Sequence, residues 1–188
     1  LLGNVARSLD TMSSILSSLL DVNRLEAGNL RPSRRDFAIN EIFDSLAADF
    51  HDDIADKGLR WRLVRSELMV RSDRRMLEAM IRNLLSNAVR YTDRGAVLLG
   101  CRRAGDKVRI EVWDSGIGIS QDQLPHIFEE YEQGGQGAVR GGFGLGLAIV
   151  RRMGKVLEHR IDVQSTPGRG AAFSIEVPRG RSSRDSTK

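Results

Sequence analysis

From Asp73 to Tyr91 the chain keeps one helical period. At about 100° per residue, Leu77, Ile81, Leu84, Leu85 and Ala88 fall on one side, with Asp73 placed to cap the start. At the edge of that apolar face, within about 60° of one another, stand Asn83, Asn87 and Arg90. Asn is a poor interior helix residue, because its amide competes for nearby backbone groups. A buried amide left unpaired costs roughly 1–3 kcal/mol. Two carboxamides at i and i+4, roughly 5–6 Å apart, therefore need compensation. One reading is a hard oxygen ligand for Mg²⁺ with Arg90 set to meet phosphate. The other is a pair of Asn capping neighbouring loops. This stretch alone does not separate them.

After this helix the period changes. "GAVLLGCRRA" and "DKVRIEVWD" read as adjacent strands joined around Gly105 and Asp106. Upstream, a strand at 36–39 leads to a helix from Asn40, its N-cap, to Lys57, with Gly58 as the stop. "LRWRLV" alternates as a strand. Downstream, Ser120 caps a short helix through Phe128, a Gly-rich span runs over 134–146, and another helix reaches Glu158. "RIDVQS" and "AAFSIEVP" close the pattern as strands around the turn "TPGRG". The N-terminal 28 residues differ in texture. Leu2, Val5, Leu9, Met12, Leu16 and Leu19 form a heptad seam, widened by Ile15, Leu20, Val22 and Leu25, which calls for helical partners.

A chain of 188 residues can bury a real core, and one main domain with an appendage is expected. The net charge of +4 permits nucleic-acid binding, but the arginines are scattered and aromatics make up only 5%, so no nucleic-acid partner is expected. A single cysteine, Cys101, excludes an internal disulfide and fits a reducing compartment. No apolar stretch approaches the roughly 18 residues that span a bilayer, so no membrane contact is expected from this chain itself. The start at Leu1 suggests a piece of something longer.

Two further motifs carry chemistry. "DSGIGIS", Asp114–Ser120, ends a strand, where sheets of this kind hold ligands. Gly116 and Gly118 permit turns and close backbone approach, and an ionised Asp114 accepts from an exocyclic amine such as adenine's. "GGFGLGLAIV" alternates Gly142, Gly144 and Gly146 directly ahead of a helix, supplying backbone N–H groups and a positive helix end to an anion. It is not a P-loop, since no Lys-Ser/Thr follows.

In this order and spacing the chain resembles the catalytic ATP-binding domain of sensor histidine kinases. "NLLSNAVRYT" is similar to that family's N box, "DSGIGIS" to its G1 box, "IFEEYEQ" to its F box, "GGFGLGLAIV" to its G2 box and "STPGRGAAFSIEVP" to its closing glycine turn and last strand. "LLDVNRLEAGNLRP" resembles the end of the second helix of the dimerisation and phosphoacceptor hairpin. The resemblance implies an α+β two-layer sandwich, a mixed five-stranded sheet covered on one face by helices, preceded by a long N-terminal helix of a dimeric bundle. Its divisions are residues 1–30 for that partial helix, 31–178 for the ATP-binding domain, and 179–188 for a disordered basic tail or linker.

By the same resemblance, the function is transfer of the ATP γ-phosphate to a histidine on a helix upstream of this chain, for relay to an aspartate of a response regulator receiver domain. The cofactors are ATP and Mg²⁺, and the location is cytoplasmic, within a full-length protein that can be membrane-anchored. Asn87 would coordinate Mg²⁺, and Asn83 would help hold metal and phosphates. Arg90 and Tyr91 would contact phosphate or ribose. Asp114, Gly116, Gly118 and Ile119 would form the adenine pocket, while Arg140, Gly142, Phe143, Gly144, Leu145, Gly146 and Leu147 would cradle the phosphates. The gyrase and mismatch-repair ATPases carry a Glu where Asn83 stands. A carboxamide is no general base, so ATP should be bound yet hydrolysed poorly.

Three departures from the family pattern stand out. Phe143 replaces a usual Thr or Ser, and Ala172 a usual Thr near the adenine pocket. His51, His126 and His159 lie in no acceptor motif, which places the acceptor histidine before Leu1. Phe143 and Ala172 leave room for an alternative, a nucleotide-poor regulatory module of the same fold acting through partner contacts.

Overall fold

The computed structural model describes residues 31–129 and 145–181. The expected N-terminal helix and most of the Gly-rich span lie outside the described residues, as do Arg140, Gly142, Phe143 and Gly144.

The domain is a two-layer α+β sandwich. Its chain order is β1 (Arg35–Ala38), α1 (Asn40–Asp49), α2 (His51–Asp56), β2 (Arg60–Val64), β3 (Met69–Ser72), α3 (Arg74–Tyr91), β4 (Ala96–Ala104), β5 (Lys107–Asp114), α4 (Gly146–Leu157), β6 (Arg160–Thr166) and β7 (Gly170–Pro178). Five strands form one mixed sheet in the order β2-β4-β5-β7-β6, parallel only between β2 and β4. Strand alternation sorts its two faces. Val97, Leu99, Val108, Ile110, Val112, Phe173, Ile175 and Val177 are buried under the helices, where Leu77, Ile81, Leu84 and Leu85 of α3 supply the other half of the core. The opposite face is polar: Arg109 meets Glu176 at 2.7 Å and Asp162 at 3.8 Å, and Arg102 meets Glu111 at 3.1 Å.

Several local expectations are corrected. The helix expected from Asn40 to Lys57 is two helices, broken at Phe50, whose ψ of 0° interrupts the helical run. Asn40 does not cap it. Ile39 holds that position, and the Asn40 carboxamide instead accepts from the Ser66 N–H at 3.0 Å, tying down the β2–β3 connection. The strand after Arg34 pairs with β3, which the sequence pattern did not reveal, in a small separate antiparallel sheet. Ser120 opens overlapping turns instead of a helix, with Gln123 and Leu124 N–H groups both returning to its carbonyl.

Pro178 is also not where backbone order ends. Gly180 donates to the Met69 carbonyl at 2.9 Å and Arg179 to that of Asp106 at 3.1 Å. Other expectations hold. Asp73 caps α3 through the Met76 N–H at 3.1 Å, and Gly58, at φ +63°, ends α2.

Candidate functional site

The last residue of β5 is the fixed point of the site. Asp114 Oδ1 accepts from the Gly116 N–H at 2.8 Å and the Ala171 N–H at 3.3 Å, while among the described residues Oδ2 accepts nothing. Burial pushes the carboxyl's pKa up, and the two backbone donors pull part of that rise back. One oxygen is thus spent on orienting the side chain, and the other is left to accept from a ligand.

The loop after Asp114 explains its glycines. A side chain at Gly116 would run into the Tyr91 carbonyl, which itself accepts from the Ile117 N–H at 3.2 Å. Gly118 has φ +69°, and a Cβ there would strike the Thr166 carbonyl. Gly168 donates to the Ile117 carbonyl at 2.7 Å, and the Ile119 N–H is held by Ser165 Oγ at 2.8 Å. The loop is therefore clamped between the end of α3 and the β6–β7 turn.

On α3, the two carboxamides have different fates. Asn83 Nδ2 donates to the Ala79 carbonyl at 2.9 Å, leaving Oδ1 aimed at Gly146, where an added Cβ would sit 3.0 Å away. A Cβ at position 146 would press on this side chain, and glycine relieves the contact. The half-buried Asn87 amide makes no hydrogen bond among the described residues. Arg90 and Tyr91 follow, half-buried, on the last turn. Leu145, Gly146 and Leu147 open α4, and no described side chain caps its first-turn N–H groups. Those donors and the positive helix end suit an anion.

The acids nearest in sequence are Glu78 and Asp93. Glu78 accepts from Ser45 at 3.0 Å and Arg82 at 3.3 Å, and Asp93 is exposed. The described residues hold no cluster of three or more His, Cys, Asp or Glu for a metal. The chemistry of Asn87, a neutral oxygen without a hydrogen-bond partner among the described residues, fits a Mg²⁺ that takes most of its ligands from phosphates and water.

The register corrects one position. Ala172 pairs with Trp113 on the polar face, away from Asp114. Ala171 is the buried residue beside Asp114, so the side chain that would support the carboxylate belongs to Ala171. Of the histidines, His51 and His126 are exposed and His159 is buried. Sequence reasoning also missed Lys57, whose Nζ reaches the Val89 carbonyl at 2.7 Å, and Ser165; neither belongs to a helix-face or glycine pattern. A separate groove of about 410 Å³, bounded by Phe50, Asp53, Lys57, Ser86 and Arg90 among others, shares only Arg90 with the residues proposed to hold nucleotide.

Known proteins share the sequence pattern and the fold. Residues 72–181, more than half of the chain, match the model described as histidine kinase-, DNA gyrase B-, and HSP90-like ATPase. The chain belongs to this ATPase family. The sensor histidine kinase RcsC of Escherichia coli (strain K12) is 32% identical over 176 residues, covering 91% of this chain and 18% of RcsC. The sensor protein TorS of the same organism is 31% identical over 93% of this chain and 19% of its own length. The chain thus spans about a fifth of the length of these curated relatives. Among solved structures, full-length ShkA in complex with AMPPNP superposes with a TM-score of 0.80 at 29% identity, over 94% of this chain and 37% of that one. Within the ATPase family, the domain is of the kind that forms the ATP-binding catalytic part of sensor histidine kinases, and the regulatory-module alternative is not favoured.

Proposed function

We propose that the chain is the ATP-binding catalytic part of a sensor histidine kinase that passes the γ-phosphoryl group of ATP to a histidine on an upstream helix, for relay to an aspartate of a response regulator receiver domain. The observation that carries this reading is the half-satisfied Asp114, one oxygen locked by two backbone donors and the other accepting from none of the described residues at a strand end. Oδ2 accepts the adenine amine, and the glycine loop at 116–118 brings backbone to the base edge where side chains would intrude. Asn87 would offer its carboxamide oxygen to Mg²⁺, Asn83 would help hold metal and phosphates beside the start of α4, and the first N–H groups of α4 would meet the phosphates. Mg²⁺, when bound, neutralises charge on the phosphate oxygens.

Phosphoryl transfer of this kind rests on positioning and charge stabilisation, so a carboxamide at position 83 is no obstacle to it. It is an obstacle to water attack, since a carboxamide does not take a proton. The helix expected over residues 1–30, as a dimerising element, would pair with the acceptor-bearing helix upstream of this chain, and 31–178 would form the ATP-binding unit. The test is the full-length protein incubated with γ-labelled ATP and followed for acid-labile, base-stable phosphohistidine. Label that appears in the unmodified protein and is lost in Asn87→Ala supports the reading. Nucleotide binding with no phosphohistidine, or steady release of inorganic phosphate instead, would overturn it.

A further inference from the structure

An α-helix leaves its last four carbonyls without intrahelical partners, and a left-handed glycine commonly closes the end. The helix α3 has no such device. Its C-cap, Thr92, is extended at φ −109°, ψ 113°, and returns no backbone N–H. Two groups far away in sequence take its carbonyls. Lys57 Nζ donates to the carbonyls of Val89 at 2.7 Å, Arg90 at 3.3 Å and Thr92 at 3.5 Å. The Ile117 N–H takes that of Tyr91 at 3.2 Å.

By sequence, a lysine just before a helix-ending glycine reads as a cap for its own helix. Here it serves another. Gly58, at φ +63°, lets Leu59 N–H return to the Ile54 carbonyl, and this closed turn presents Lys57 to α3. The ammonium supplies both donors and a positive charge at the negative end of the helix.

The turn of α3 that Lys57 holds carries Arg90 and Tyr91, one turn past Asn87, and the Tyr91 carbonyl anchors the loop that follows Asp114. We infer that Lys57 is a positioning residue for the nucleotide site. It fixes the relation between the metal-binding and adenine-binding elements without touching the ligand itself. This rests on the function proposed above.

The test compares Lys57→Met and Lys57→Arg with the unmodified 188-residue chain. Lys57→Gln replaces the Met variant if that one fails to fold. Two readouts are taken where circular dichroism shows every protein folded: amide hydrogen exchange without nucleotide, and the Kd for AMPPNP with Mg²⁺. In Lys57→Met, exchange at Ile117 and in the last turn of α3 should accelerate, and Kd should rise about five- to ten-fold. Lys57→Arg, which keeps the charge and donors, should recover most of both.

A Kd in the Met variant within about two-fold of the unmodified chain overturns the inference. So does an Arg variant no better than Met. If Lys57 were purely stabilising, its loss would lower the melting temperature and leave the Kd of the folded protein unchanged. If the unmodified chain binds no AMPPNP, the proposed function falls. The exchange arm then still decides whether Lys57 holds the two elements together, with unchanged protection at Ile117 counting against it.

Discussion

The His159 imidazole is 5% exposed, its Nε2 is 2.8 Å from Ser72 Oγ, and among the described residues its buried Nδ1 completes no well-formed hydrogen bond. Burial, aided by the charges of Arg34 and Lys107 and opposed by the Glu158 backbone and carboxylate, lowers its pKa from 6.5 to about 4. The sign follows from linkage. The unfolded chain takes up this proton first, so the neutral imidazole's contribution is complete above pH 6.5 and lost as pH falls towards about 4. At about 1.4 kcal/mol per pKa unit, the whole window is worth about 3 kcal/mol, and about 2 kcal/mol is gone by about pH 5.

The perturbation is His159→Phe, of similar size but without a titrating group. At pH 7.5 the variant should be less stable, because Ser72 Oγ loses its buried partner at a cost of roughly 1–3 kcal/mol. Urea unfolding at pH 7.5 and pH 5 then gives the decisive comparison. The unmodified chain should lose about 2 kcal/mol more than the variant across that interval. Equal losses in the two proteins would refute the assignment of a buried neutral imidazole.

Other substitutions separate folding from binding. Asn87→Ala removes a side chain with no hydrogen-bond partner among the described residues, so urea unfolding should change by less than about 0.5 kcal/mol while calorimetry shows Mg²⁺-dependent nucleotide binding lost. Gly170→Ala must place a Cβ against the Asp114 carbonyl at φ +90°, and should cost about 2–4 kcal/mol of stability by thermal unfolding. Arg34→Ala removes the guanidinium that reaches the Leu157 carbonyl at 3.2 Å and Glu158 at 3.1 Å beyond the end of α4, and should cost about 1 kcal/mol in urea.

The parts of the fold that were legible in advance are those where the chain repeats itself. The apolar stripe of α3 and the alternation of β4, β5 and β7 each extend over many residues, so periodicity defines them. The four-residue β3 is too short to show a period, and the helix break at Phe50 involves no Gly or Pro. Asn40 and Ser120 are good capping residues put to other uses: the Asn40 side chain took a distant partner in Ser66, and Ser120 opened a run of local turns. At the site, the glycines at 116 and 118 and the acid at 114 were readable because close backbone approach demands those residue types. Lys57 and Ala171 were not, since each acts through a contact between segments distant in sequence. A one-residue step along β7 was enough to move the expected support of Asp114 from the buried face to the polar one.

The most direct measurement is calorimetric titration of the chain with AMPPNP, with and without Mg²⁺, alongside Asp114→Asn and Asn87→Ala. The account predicts binding that strengthens with Mg²⁺, fails in Asp114→Asn with or without the metal, and loses its Mg²⁺ dependence in Asn87→Ala. Absence of binding by the folded, unmodified chain, or equal binding by Asp114→Asn, would contradict it.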